Sequence, residues 1–163
     1  MILGMSTATF TSLHVLISLI GIVTGLVVMY GFFKGSRQGG LTTTFLVATV
    51  LTSVSGFGFP FEHLLPSHKV GILSLVMLTI AILALYVFHL AGAWLKIYVV
   101  TASIALYFNV FVLVAQGFMK VPALKALAPT GKEPPFLAAQ LVVLVVFVWL
   151  IILAAKRYRP ESA

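Results

Sequence analysis

The chain has 163 residues, of which 61% are apolar and only 8% charged, and a mean hydropathy of +1.19. Soluble domains carry about 25% charged residues, so this composition places the chain in a membrane. The net charge of +7 comes from basic residues without interleaved aromatics, which argues for membrane orientation and against nucleic-acid binding; the absence of cysteine excludes thiolate nucleophiles, disulfide exchange, iron–sulfur clusters and thiolate metal sites.

The N-terminal segment to Thr9 carries no Lys or Arg, and the apolar run after it exceeds the core of a signal peptide, so the first helix is expected to stay in the mature protein. That run, residues 10–33, suffices for a hydrocarbon core that takes about 20 helical residues. His14, Ser18, Gly21 and Gly25 share one face of it, and Gly21 with Gly25 forms a small-xxx-small pair that predicts close helix packing. A basic, glycine-rich turn, Lys34 to Gly40, must lie in water. A second span is expected over 41–59, packed by Thr42, Thr49, Ser53 and Gly56 and stopped by Pro60.

The stretch Gly56 to Lys69 gathers two of four histidines and one of three acidic residues. Ser67 is expected to cap a third span over 68–89, and Ala91 to Trp94 to form a tight turn, with Trp94, Lys96 and Tyr98 at the headgroup boundary. A fourth span runs over 95–119. A connection with a short surface helix near Pro122 to Ala128 leads to a fifth span over 136–155.

The fold class is therefore all-α, a single transmembrane domain of five helices over 1–163. Five spans place the termini on opposite sides. Lys34, Arg37, Lys96, Lys156, Arg157 and Arg159 fall on one side and Lys69, Lys120, Lys125 and Lys132 on the other, which predicts the N-terminus outside and the C-terminus in the cytoplasm.

This orientation brings polar residues to one outer level: His14, Gln116 and Gln140 about one turn inside their spans, and Glu62, His63, His68 and Glu133 in the loops. Asn109, seven residues before Gln116, extends that track inward; the bland account of Asn109, Gln116 and Gln140 is hydrogen-bonding glue between helices. His14, His63 and His68 are candidate cofactor ligands, and with Glu62 they form a candidate metal set for haem b or a divalent cation, although their spacing matches no ligand signature. Ordinary interfacial hydrogen bonding is the competing account. His89 stands alone near the inner end, which disfavours a two-haem cytochrome. The chain has no Asp and no Glu within a span, so carboxylate-coupled transport, paired-carboxylate hydrolysis and Ser-His-Asp catalysis lack their residues.

The segments Ser53 to Pro60, Leu65 to Leu75 and Val121 to Pro129 resemble small uncharacterised multi-pass inner-membrane proteins of proteobacteria. The resemblance covers most of the chain and implies a bacterial inner-membrane location, without an activity or site residues. The leading functional expectation is a non-enzymatic accessory or assembly subunit, in contact with lipid and with other membrane subunits or copies of itself. A haem- or metal-binding redox protein and a small-molecule or lipid carrier lined by Asn109, Gln116 and Gln140 are the alternatives.

Overall fold

Helix α1 (Thr7–Lys34) opens with Ser6, whose hydroxyl accepts the Thr9 amide at 3.1 Å, and closes at Gly35, which takes the left-handed conformation (φ +67°) that a side chain would resist. The computed structural model describes residues 2, 4–60 and 66–160. It continues with α2 (Gly39–Gly56), α3 (Pro66–Ile82) running into a π turn over Leu83–Val87, α4 (Trp94–Lys120), the short α5 (Pro122–Leu127) and α6 (Pro134–Arg157). Among the described residues there is no strand beyond one isolated bridge, Ile2 to Met5. Five segments, with α3 and its π turn as one span, are long and apolar enough to cross a membrane. The chain is thus a multi-pass α-helical membrane protein.

α4 is the hub, touching α1, α2, α3, α5 and α6, whereas α6 rests mainly on α4 and touches α1. Glycines set the closest approach. A side chain on Gly25 would lie 2.6 Å from Leu106 of α4 and 2.8 Å from Phe45 of α2, so the small-residue face of α1 is turned into the bundle. Large apolar side chains outside the contacts, such as Val23, Val47, Leu141 and Trp149, face outward, as a bilayer rather than water would permit.

The chain alternates direction, so its charges sort by end. Phe32 near the end of α1 packs on Tyr98 of α4 and on Tyr158 beyond α6, with ring centroids 5.7 and 4.8 Å apart, and the Thr43 and Tyr86 hydroxyls bond at 3.0 Å. Lys34, Arg37, Lys96, Lys156, Arg157 and Arg159 gather at this basic end.

Several boundaries differ from the sequence expectation. α2 ends at Gly56, before residue 59, because Phe57 and Gly58 turn back to bond the Val54 and Ser55 carbonyls and Pro60 disfavours helix at Phe59. α3 starts on Pro66, whose missing N–H and fixed φ suit a first helical position, so Ser67 lies inside the first turn rather than capping it. At its other end the helix widens into the π turn and stops at Val87. His89 and Leu90 then take left-handed conformations (φ 47° and 60°), which leave His89 exposed in a turn rather than in the span, while Leu90 tucks into the core. Phe88 and Trp94 stack at 3.9 Å across that turn. Tyr98, expected at the headgroups, is 2% exposed inside the bundle.

Candidate functional site

Toward the end opposite the basic one, several of the expected polar residues that the structure describes have partners on neighbouring helices. His14 Nδ1 and the Ser55 hydroxyl are 2.7 Å apart, and Phe59 meets the imidazole edge-on at 5.3 Å. His68 is buried and stacks on Phe57. Glu62 and His63 lie outside the described residues. Among the described residues no three His, Asp or Glu side chains group as metal ligands. Of the candidate haem or metal set, His14 thus meets Ser55 and His68 meets Phe57.

The polar track acts largely between helices. Asn109 Nδ2 donates to Thr49 Oγ1 at 3.3 Å over the bare backbone of Gly21, and Gln140 Nε2 donates to the Phe111 carbonyl at 3.0 Å. The Gln116 and Gln140 amide oxygens are buried without a partner, so their level is not fully satisfied. Glu133 sits apart, in the loop before α6, where its carboxylate accepts the Thr130 amide (3.0 Å), the Thr130 hydroxyl (2.8 Å) and the Lys132 amide (3.0 Å). Desolvation acts to raise its pKa, but these hydrogen bonds outweigh it and hold the carboxyl down at about 2. Glu133 thus organises a turn.

A hollow lies at the basic end, among residues that the sequence did not mark as a site. A cavity of about 350 Å³ is enclosed by the ends of α1 and α2, the π turn, Leu90, Tyr98 and Tyr158. That volume is at the lower end of the usual 300–1,000 Å³ for ligand pockets. Its wall is part apolar, from Val28, Phe32, Leu85 and Leu90, and part polar, from Arg37, Gln38, Thr42, Tyr86, Tyr98 and Tyr158.

Local structure explains how each arrives there. Gly31 leaves room for the Gln38 amide, which lies 3.3 Å from where a Cβ would be, and the Gln38 Oε1 is buried with no partner. The π turn inserts an extra residue per turn, which keeps Ala84 against the core and lets Tyr86 reach Thr43 on α2. The Thr42 side chain faces the buried Tyr98 hydroxyl. Burial pushes the Tyr158 phenol up, against the Arg37 guanidinium that faces its hydroxyl and favours the phenolate. Among the described residues Arg37 is the one Lys or Arg in the wall, and no acidic side chain lines it.

Three of these residues had a trace in the sequence. Arg37 and Gln38 stand in a glycine-rich turn, but that turn reads equally as a solvated loop. Tyr98 reads as an interfacial aromatic, and the π turn has no signature in residue type. Comparisons with protein families, with curated proteins and with solved structures find no match for this chain.

Proposed function

We propose that this protein is a non-enzymatic bundle of the bacterial inner membrane that binds a small amphiphile of the lipid class in the cavity at its basic end. The observation that carries this is the cavity itself, whose wall combines apolar side chains with one guanidinium, one unpartnered amide oxygen and three phenols. Such a hollow matches a molecule with a polar head and a hydrocarbon body. The carrier expectation is kept, but its lining moves from Asn109 and Gln140, which bond to neighbouring helices, to Arg37, Gln38 and Tyr98. The excess of Lys and Arg supports an inward-facing basic end, and the resemblance to proteobacterial inner-membrane proteins supports the location.

Native mass spectrometry of the gently extracted chain is the test. The wild type should retain an amphiphile at about one per chain, and Ser36→Trp should lose it. Ser36 is an exposed loop residue at the cavity mouth, so circular dichroism should show that this variant folds. Absence of any retained amphiphile, or equal retention by Ser36→Trp, would overturn the proposal.

Assembly with a larger membrane complex is a second reading. The small-residue faces that suggested it are used within the bundle, since Gly21 and Gly25 meet α2 and α4. What favours it now is α6, the least buried span, with only 11% of its most apolar window inside the structure and Trp149 on its open face. Isolation of the chain at native levels as a partnerless, monodisperse particle would count against this reading.

A further inference from the structure

The cavity borders a second hollow on the side of α2. Thr43 belongs to its wall and also to a shallow groove of about 620 Å³ that runs along the membrane face of α1 and α2, past Ile17, Ile20, Val47 and Leu51. Head space and groove therefore meet at one residue.

Their dimensions fit one occupant. From Gly40 to Leu51 the groove follows α2 for eleven residues, about 16 Å at the helical rise. A single leaflet contributes about 15 Å of a 30 Å hydrocarbon core. The groove thus spans the depth of the leaflet on the basic side, starts at the headgroup level and is apolar along that length apart from Thr43 and Thr44.

The head site has its own chemistry. Arg37 provides a fork of N–H donors, and among the described residues no carboxylate competes for it in the wall. The first turn of α2 begins at Gly39, also in the wall, and no side chain caps it, so backbone donors there are left for a ligand. The buried Gln38 Oε1 requires a donor in return. An anion that also carries hydroxyl groups satisfies all three.

We infer that the occupant is an acidic glycerophospholipid of the leaflet on the basic side, with its phosphate at Arg37 and the start of α2, a headgroup hydroxyl at Gln38, and one acyl chain in the α1–α2 groove. The inference rests on the amphiphile reading above and names its ligand.

Phosphatidylglycerol and phosphatidylcholine of equal chain length, added to the full detergent-solubilised chain, test it by native mass spectrometry and titrated thermal shift. The wild type should prefer phosphatidylglycerol by about tenfold, the scale of one charge-assisted contact. Arg37→Gln should abolish that preference and Arg37→Lys restore part of it. Lys156→Gln, an exposed cation at the same end outside the cavity wall, should leave it intact and so excludes a general surface-charge effect. Val47→Trp, on the open face of the groove, should weaken phosphatidylglycerol severalfold.

Equal binding of the two lipids, both lost in Ser36→Trp, overturns the acidic-head inference and leaves the amphiphile reading standing. Binding of neither lipid overturns that reading as well. Arg37-dependent binding of inorganic phosphate, with Val47→Trp without effect on phosphatidylglycerol, overturns the phospholipid in favour of a soluble anion.

Discussion

Gly25 is where the bundle leaves least room, and Gly25→Ala tests the packing that positions both ends. A Cβ there would lie 2.6 Å from Leu106 Cδ1 and 2.8 Å from two Phe45 ring atoms, against about 3.5–4.0 Å for unstrained carbon contacts. Leu106 and Phe45 are each 1% exposed, so neither can swing away into lipid. The backbone must give by roughly 1 Å, which shifts α1 off α2 and α4 and disturbs the Thr49–Asn109 pair one turn away, over Gly21. Overpacking of this kind costs about 1–3 kcal/mol, which for a chain of this size lowers Tm by roughly 2–12 °C. Intrinsic fluorescence or circular dichroism melts in detergent provide the assay. Gly40→Ala is the control: its site has open space around it, so a methyl group should leave stability unchanged or raise it by up to about 1 kcal/mol. A Gly25→Ala protein as stable as wild type, or a Gly40→Ala protein equally destabilised, would refute the close α1–α2–α4 contact. Leu106→Val in the Gly25→Ala background should recover part of the loss.

Three further outcomes are expected. A double-mutant cycle of Asn109→Leu and Thr49→Val should give a coupling of about 0.6 kcal/mol, the average for hydrogen bonds between membrane helices, and zero coupling would remove the bond at 3.3 Å. Because the Glu133 carboxyl is depressed to about 2 from its ordinary 4.5, its support of the Thr130–Lys132 turn should be full above pH 4.5 and lost as pH falls toward 2. Amide exchange at Thr130 and Lys132 reads this directly, and Glu133→Gln should show weakened protection already at neutral pH. Since the chain has no cysteine, Ser36→Cys and Thr130→Cys report orientation without background. An impermeant maleimide added to intact cells should label Cys at 130 and not at 36, and the reverse result would invert the topology.

The spans were legible because their signal is length and apolarity, which a bilayer enforces on every residue of the run. The glycine face of α1 was legible for a related reason: Gly21 and Gly25 recur at helical spacing, and the structure turns both inward against Thr49, Phe45 and Leu106. The polar level around His14 was only half legible. Depth along a helix follows from counting residues, but direction around the bundle does not, and direction decides that His14 meets Ser55 while His68 meets Phe57.

The basic-end cavity was beyond sequence reading because three non-local facts create it. The π turn over Leu83–Val87 adds a residue that no residue type announces; Leu90 folds back through two left-handed positions; and Tyr158, 60 positions after Tyr98, arrives by way of Phe32. Left-handed conformations at non-glycine residues cost of order 1–3 kcal/mol each and persist only where surrounding contacts over-determine them. Here the Phe88–Trp94 stack and the burial of Leu90 supply those contacts. A simple α-helical end with a glycine turn would close the bundle at lower cost, yet it would carry Tyr86 away from Thr43 and leave no wall for the cavity. Strain at this end is therefore coupled to the hollow it shapes.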